Sequence, residues 1–382
     1  MLSDEQVLIF QTAEKLGQRV GREYWLRCAR EGMDASRVWE EMVKAGLTGV
    51  GVNPSAGGVG YGLLEAALVQ EGLAKAGIPL LQFLTTHLSR EILVKYGSRK
   101  QVSRYVEPTC KEGRRISFAL TEPAAGSNTW RITTLARRKS DGYVLNGQKT
   151  YITGARESDY MIVVARTRKY EEVENKRKGI SLFILETKTS GISFEPLNIQ
   201  LYSPETQYTV YFEDVELGAE NLVGVEGEGA AYLFDGLNVE RVLIAACSIG
   251  LGEYVLRKAA DYAKQRVVFD KPIGSYQGIQ FRMAEAYIHL EAARQLNYEA
   301  ARTYDTGRQA GALANMAKFA AAEAGLEAFE IALQAFGGSG FDQTTDIITF
   351  YPVIRLFTTA PVTNELVLSY VGRHVLGLPK SY

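Results

Sequence analysis

The sequence predicts an α+β protein in which a strand-rich domain separates two helical domains. Between residues 1 and 115, apolar residues recur at helical spacing. Between residues 116 and 225, short runs of β-branched and aromatic residues are separated by Gly-containing turns, and between residues 226 and 382 helical patterns return. Helices and strands are therefore segregated along the chain, which argues against alternating βαβ units.

The first domain, residues 1–115, opens with a helix start signal. Ser3 is followed three residues later by Gln6, as in a capping box. Residues 53–62 hold one proline and four glycines, and they predict a loop. No strand and no lysine flank these glycines in the way a phosphate-binding loop requires.

The middle domain, residues 116–225, is predicted to be an antiparallel sheet or barrel. Turn pairs such as Asn146-Gly147 separate its strand-like runs. A charged run at 168–178 predicts an exposed hairpin tip. The strand-like runs are 143–145, 150–153, 161–165, 180–185 and 209–212.

The last domain, residues 226–382, is predicted to be a bundle of long helices. One helical pattern runs from about residue 230 to 266, and two more cover 281–306 and 311–333.

Composition excludes several classes of protein. Lys plus Arg is 43 and Asp plus Glu is 44, which leaves no basic excess for nucleic acid. The three cysteines and three histidines are scattered, so neither a disulfide framework nor a zinc site is expected. The early acids argue against a signal peptide, and no apolar stretch reaches the ~20 residues of a membrane helix. We therefore expect no membrane association and a cytoplasmic location.

Glu240 interrupts an apolar stripe. Leu233, Leu237, Ile244 and Cys247 share its helix face by their spacing. Burial there would raise the pKa of the carboxyl group, as a general base near neutral pH requires. A buried glutamate paired with a neighbouring Arg or Lys would give the same pattern, and the pattern alone favours that structural role.

Three other segments are candidate ligand contacts. Residues 118–128 combine a strand end, a Pro turn, small residues and Ser127. Residues 334–340 place glycines after a helix, as in a helix C-cap or a diphosphate-binding nest. Residues 266–277 could place Arg266 on a phosphate, or they could be a basic helix end and a turn. Each segment taken alone favours the structural alternative.

Taken together and in order, these segments resemble the acyl-CoA dehydrogenase family along essentially the whole chain. Residues 120–127 and 146–153 match two signatures of that family's middle domain. Asn238-Val239-Glu240-Arg241, the 266–277 segment and the glycines of 334–340 follow in family order.

The resemblance implies a helical N-terminal domain, a middle β domain and a C-terminal four-helix bundle. It also implies a homotetramer, built as a dimer of dimers, with FAD between the middle and C-terminal domains. The residues implied to contact FAD are Phe118, Leu120, Thr121, Ser127, Tyr151 and Thr153, then Arg266, Phe269 and Gln277 from a neighbouring subunit, and Gln334, Gly337 and Gly338 near the diphosphate and adenine end. The residues implied to lie near the substrate are Ser127, Leu237, Asn238 and Arg241. For Arg241, a structural ion pair is expected equally with a substrate contact.

The position of the base follows from two complementary observations. Most family members carry a glutamate near the C-terminus, where this sequence has Pro361. Proline offers neither a carboxylate nor a backbone N–H at that position. Glu365 falls at a later family position. A minority, similar to the isovaleryl and long-chain enzymes, carry the base where this sequence has Glu240.

The implied reaction is α,β-dehydrogenation of an acyl-CoA, with electrons passing to an electron-transfer flavoprotein. Oxygen-using relatives of the same fold, namely oxidases and monooxygenases, are one alternative. A non-catalytic FAD-binding subunit is another. The residue pattern sets neither the acyl chain length nor a choice between CoA and a carrier protein.

Overall fold

The computed structural model describes residues 1–380. The N-terminal part is helical, and its first helix starts at the predicted capping box: Ser3 Oγ accepts from Gln6 N at 3.2 Å, and Ser3 N donates to Gln6 Oε1 at 2.9 Å. Its helices are α1 Asp4–Val20, α2 Arg22–Glu31, α3 Ser36–Lys44, α4 Leu63–Lys75, α5 Leu81–Tyr96, α6 Arg99–Gln101 and α7 Glu107–Lys111.

The middle part is one eight-stranded sheet with the strand order β6-β7-β3-β2-β4-β5-β8, and β1 pairs with β4. The 168–178 run lies in the turn between β4 and β5, as predicted. The strands are β1 Ile116–Ala119, β2 Leu135–Lys139, β3 Gly142–Thr153, β4 Tyr160–Arg166, β5 Ile180–Glu186, β6 Ile192–Pro196, β7 Gln207–Gly218 and β8 Leu222–Val223.

The sheet is mixed, whereas the strand pattern predicted only antiparallel pairing. β1 runs parallel to β4, with Phe118 opposite Ile162, and β2 meets β4 through one parallel pair, Leu135 and Arg166. Parallel neighbours need a long crossover. The chain between β1 and β4, which includes the β2–β3 hairpin, provides one.

The C-terminal part is helical again and confirms the long helices predicted from the sequence. Helix α8 has 37 residues, which corresponds to about 55 Å at 1.5 Å per residue. Its elements are α8 Gly229–Gln265, a short hairpin of β9 Val267–Val268 and β10 Lys271–Pro272, α9 Gln277–Asp305, α10 Gly311–Phe336, α11 Tyr351–Leu356 and α12 Asn364–His374.

Helices α5 and α8 approach each other closely at Gly236. A Cβ atom on Gly236 would lie 2.5 Å from Leu88 Cδ1 and 2.7 Å from Ile92 Cδ1. Leu88, Ile92 and Leu233 share one hydrophobic cluster with Ile162 of the sheet. This cluster joins all three parts of the chain beside the N-terminal half of α8.

Two kinds of feature are missing from residues 1–380. None of the helices there is both long and apolar enough to cross a bilayer. The same residues contain no group of three or more His, Cys, Asp or Glu side chains that could hold a metal ion.

Candidate active site

Glu240 lies on α8, one turn after Gly236. The Glu240 carboxylate has no hydrogen bond that shifts its pKa. It also forms no ion pair with any residue in 1–380. Burial raises the pKa of Glu240 to about 7, and the charge of Arg241 opposes this shift. The alternative of a structural pair with a neighbouring cation is therefore wrong for the described residues.

Apolar side chains lie one to two turns before Glu240. Leu233 is buried, and Leu237 packs on the cluster to which Leu233 belongs. Phe118 and Leu120, at the end of β1, pack on the same cluster. The helix that carries Glu240 and the first signature segment thus pack on one hydrophobic cluster.

The two signature segments of the middle domain lie side by side. Thr150 N donates to Thr121 O at 2.9 Å, and Lys149 Nζ donates to Leu120 O at 2.8 Å. Phe118 is partly exposed, as are Leu120 and Thr121, and Ser127 is exposed. These bonds hold the backbone of 120–121 against β3 and leave one side open.

The end of β3 presents an unusual aromatic residue. Tyr151 has a φ of 58° and is 61% exposed. Thr153 is partly buried, and its Oγ1 donates to Gln207 Oε1 at 3.1 Å. An exposed, left-handed tyrosine at the end of a sheet gives a flat apolar face for a planar ligand.

A buried ion pair supports this surface, and the sequence pattern did not reveal it. Lys149 Nζ lies 2.8 Å from Glu122 Oε1. Glu122 also accepts from Thr133 N at 2.6 Å and from Thr134 N at 2.9 Å. Both charged residues stand inside the signature segments, but only folding shows that they meet.

A second group of predicted residues assembles at the far end of α8. The rings of Tyr262 and Phe336 stack with centroids 4.3 Å apart, which joins the ends of α8 and α10. Phe269 is 85% exposed with a φ of 51°. No atom lies within 4 Å of the Cβ positions of Gly337 and Gly338. The exposed members of this group are Arg266, Phe269, Gln277, Gln334, Gly337 and Gly338.

The structure does not bring the two groups together within one chain. Arg266 follows Glu240 by 26 positions in the sequence. At 1.5 Å per residue this corresponds to about 39 Å along α8. A ligand that reached from Glu240 to Arg266 within one chain would have to span about this distance along α8.

Arg241 and Asn238 interact with each other. Arg241 is buried, and its Nη1 donates to Asn238 Oδ1 at 2.9 Å. The expected structural ion pair of Arg241 is not found among residues 1–380, since its partner here is the neutral amide of Asn238. Substrate contacts by Arg241 and Asn238 stay predictions.

The C-terminal alternative for the base is less suited to that role. The Glu365 side chain is exposed, and hydrogen bonds from its own backbone N–H and from Thr363 lower its pKa. A solvated carboxylate of low pKa is a weaker base than a desolvated one.

Helix α5 is fixed at its N-terminus by another residue that the sequence did not single out. Glu205 accepts from Leu81 N at 2.8 Å and from Gln82 N at 2.5 Å. Gln82 Nε2 in turn donates to Gly154 O, just past β3, at 3.1 Å. Burial raises the pKa of Glu205 to about 7 even though these N–H groups stabilise its charge.

Three family models cover the chain almost end to end. The acyl-CoA dehydrogenase N-terminal domain matches residues 3–113, the middle domain matches 117–215 and the C-terminal domain matches 227–376. The chain belongs to the acyl-CoA dehydrogenase family.

Similar proteins agree with this assignment. Acyl-CoA dehydrogenase FadE12 of Mycobacterium tuberculosis is 37% identical over 100% of this chain and 98% of its own length. The structure of butyryl-CoA dehydrogenase from Megasphaera elsdenii superimposes with a TM-score of 0.93 at 29% identity, covering 98% of this chain and 99% of that one. A structure described as PigA with FAD and proline has a TM-score of 0.92 at 26% identity, covering 99% of both chains.

Proposed function

We propose that this acyl-CoA dehydrogenase oxidises the Cα–Cβ bond of an acyl-CoA thioester to a trans-2-enoyl-CoA, with FAD as cofactor and Glu240 as base. The observation that carries the proposal is the half-buried carboxylate of Glu240, which lies beside the apolar cluster and has no ion-pair partner among residues 1–380. A structural glutamate in such a place would have a counter-charge, because an uncompensated buried charge is costly. An acid of pKa about 7 suits proton transfer at neutral pH.

The chain's own surfaces fit FAD. The open side of residues 118–121 and the exposed ring of Tyr151 offer backbone groups and a flat apolar face to a flavin. The uncovered backbone of Gly337 and Gly338 can approach a diphosphate closely, because no side chain covers it. Exposed Arg266 adds a positive charge there. Bound FAD would supply the acceptor for the hydride that leaves the β carbon.

The protein's part in the reaction is to position the thioester and move one proton. Glu240 takes the proton from the α carbon, and its desolvation keeps the carboxylate basic enough to do so. Leu233 and Leu237 exclude water from the acyl chain. The carboxyl group then holds the proton until the product leaves.

The thioester carbonyl needs a hydrogen-bond donor as negative charge develops on its oxygen. Pro361 cannot donate one. Val362 supplies the next backbone N–H, and its carbonyl is fixed by Lys318 Nζ at 2.7 Å. We assign the donor to Val362.

Assembly and electron transfer follow from the same proposal. The separation of about 39 Å between Glu240 and Arg266 along α8 supports a flavin shared between two copies, within a homotetramer. An electron-transfer flavoprotein is the expected acceptor, and a cytoplasmic location is expected.

The test is an anaerobic titration of the flavin-loaded protein with a panel of acyl-CoAs, beside Glu240→Gln. Bleaching of the oxidised flavin band in the parent and not in the variant supports both the reaction and the base. Equal bleaching in the variant removes Glu240 from the mechanism. Bound flavin that no thioester reduces would instead favour the oxidase, monooxygenase or non-catalytic alternatives.

A further inference from the structure

Two backbone donors are left free in a short turn between α11 and α12. We call residues 361–363 the 361–363 turn. Neither Val362 N nor Thr363 N donates a hydrogen bond to any of residues 1–380. All three residues of the turn are partly exposed. Pro361 has no N–H of its own, so these two groups are the donors that the turn can offer.

Lys318, on α10, holds the middle of this turn. Its Nζ donates to Val362 O at 2.7 Å and to Asn364 Oδ1 at 2.7 Å. Its side chain is buried, and it forms no ion pair with any residue in 1–380. Another buried lysine, Lys149, is instead paired with Glu122. The charge of Lys318 is therefore directed at the backbone of the turn and at one amide.

The chain just after the turn is fixed as well. Asn364 N donates to Thr358 O at 3.0 Å, and Asn364 Nδ2 donates to Glu323 Oε1 at 2.6 Å. Thr363 Oγ1 accepts from Leu366 N at 3.3 Å, which caps α12. The start of α12 is thus anchored to α10 without using the two free N–H groups of the turn.

The bond from Lys318 acts on one peptide group, which joins Val362 C=O to Thr363 N–H. This peptide is trans, so its C=O and N–H point in opposite directions and the N–H of Thr363 points away from Lys318. A cation on the carbonyl oxygen also polarises the group, which makes its N–H a stronger donor. Lys318 therefore both orients and strengthens a donor of the turn.

Helix α10 places Lys318 beside the first half of α8. A Cβ atom on Gly311 would lie 3.8 Å from Asn238 Oδ1. Further along α10, Ala321 O accepts from Ser248 Oγ at 2.8 Å. Lys318 lies between these two positions of α10, and it therefore lies beside the part of α8 between the two partners.

That part of α8 contains Glu240. The charge of its neighbour in sequence, Arg241, also acts on Lys318: burial first, and then this charge, lower the pKa of Lys318 to about 8. Lys318 thus connects the 361–363 turn to the part of α8 that carries the proposed base.

We propose that Lys318 is a positioning residue for the dehydrogenation, which orients the N–H groups of Val362 and Thr363 toward the thioester carbonyl. This inference rests on the proposed function and extends the assignment of Val362 as donor. Two adjacent donors stabilise the charge that develops on the carbonyl oxygen, where Pro361 supplies none. Lys318 itself acts only through the turn.

The first test is the limiting rate of flavin reduction in Lys318→Met, measured by stopped flow on flavin-loaded protein. The reductant is the fastest member of a straight-chain panel from butyryl-CoA to palmitoyl-CoA. The rate per flavin should fall at least about tenfold, because outright loss of one such donor costs about 10²–10³ in rate. The half-saturating acyl-CoA concentration should change little, since the donors act mainly as charge develops.

A vibrational measurement separates the orientation of the donors from a general loss of stability. The probe is the trans-2-enoyl-CoA of the same chain length, labelled with ¹³C at the thioester carbonyl. Hydrogen bonds to this oxygen lower the stretching frequency of the carbonyl. Binding should therefore shift the band down in the parent, and the shift should be smaller in Lys318→Met.

Arg22→Met is the matched control. Arg22 is also a largely buried cation, 9% exposed in its side chain, and it donates to the backbone carbonyl of Gly77 at 3.0 Å. This variant should melt at a lower temperature and keep both the rate per flavin and the carbonyl shift. Because Lys318→Met could fail to fold, Asn364→Ala provides a second test by removing the other acceptor of Lys318 Nζ. It should change the rate and the shift in the same direction by a smaller factor.

An unchanged rate and carbonyl shift in folded Lys318→Met would overturn the role of Lys318, as would the same result in Asn364→Ala where the first variant does not fold. Equal losses in Arg22→Met would also overturn it, because they would show general destabilisation. In these cases the parent is still reduced by acyl-CoA, so the proposed function stands. If no acyl-CoA reduces the parent's flavin, the proposed function fails and the role of Lys318 fails with it.

Discussion

Lys149 Nζ lies 2.8 Å from Glu122 Oε1, and the two side chains are 0% and 4% exposed. The pair ties β3 to the segment that follows β1, because Lys149 also holds Leu120 O and Glu122 holds the backbone at 133–134. Burial lowers the pKa of Lys149 to about 8, and Glu122 opposes this shift. The surface proposed to hold the flavin therefore rests on one buried charge pair.

Replacing Lys149 by methionine should release FAD. Breaking one partner of a buried pair costs about 3–5 kcal/mol, because it leaves Glu122 uncompensated. We expect a lower melting temperature and a protein that loses its flavin on dialysis, measured by absorbance. Arg22→Met is the control, since it breaks the buried Arg22–Asp346 pair elsewhere. Equal flavin loss in both variants would contradict a specific role for Lys149.

The rate of flavin reduction should rise with pH through about 7. Glu240 must be ionised to accept a proton, and its pKa is raised to about 7 by burial. Stopped-flow reduction by a saturating acyl-CoA across this range measures the effect. A rate that is flat between pH 5.5 and pH 8.5 would argue against Glu240 as the base, with those limits set about 1.5 units either side of the pKa.

The ionisation of Glu240 also affects the free energy of unfolding: the rise in pH that increases the reduction rate should decrease stability. The folded protein binds the Glu240 proton more tightly than the unfolded chain, so this contribution is complete below about pH 4.5 and is lost as pH rises through about 7. Glu240→Gln should therefore raise the free energy of unfolding by roughly 1–3 kcal/mol at pH 8, with a smaller gain at pH 5.5. Urea melts at the two pH values decide this, and a variant less stable than the parent at pH 8 would disprove it.

Glu205→Ala should loosen the start of α5. It removes the acceptor for Leu81 N and Gln82 N, and loss of such a cap costs about 0.5–2 kcal/mol. Hydrogen exchange at these two amides should accelerate more than exchange at the start of α10. Glu205→Gln keeps one carboxamide oxygen and should retain most of the protection. Uniform acceleration across the protein would indicate global destabilisation.

Phe269→Ser should separate flavin binding from protomer stability. The side chain is 85% exposed, so its loss should change the free energy of unfolding of one chain by less than about 0.5 kcal/mol. Flavin content and assembly mass should nevertheless fall if a second copy completes the site. Light scattering with flavin absorbance measures both. An unchanged assembly with full flavin would show that Phe269 does not contribute to the shared site.

Much of the fold could be predicted because local signals agreed with long-range packing. The capping residue Ser3 and the long α8 pattern each depend on nearby residues. The prediction of a turn at Asn146-Gly147 was wrong: both residues lie inside β3, at a shift in its register with β7, because cross-strand pairing continues past this local turn signal. The parallel pairing of β1 with β4 could not be predicted, since it depends on which edge remains free once the other strands have paired.

The candidate site likewise contains some features that the sequence predicted and others that only the structure showed. Glu240 was found because a charge in an apolar stripe is a local irregularity, whereas its lack of a partner became visible only in the structure. Lys149 and Glu122 are 27 positions apart, and Glu205 caps a helix more than 120 positions away. No periodicity encodes such contacts, so sequence reasoning missed all three roles.

Helix α8 also limits how this chain can change in length. Deleting one residue between Glu240 and Gln265 would rotate everything downstream by about 100° and move it by about 1.5 Å. Buried positions such as Leu251 and Val255 would then turn toward other neighbours, and the 266–277 segment would swing away from α10. We therefore expect the number of residues in α8 to be fixed. Insertions and deletions should instead be tolerated in the turn between β4 and β5.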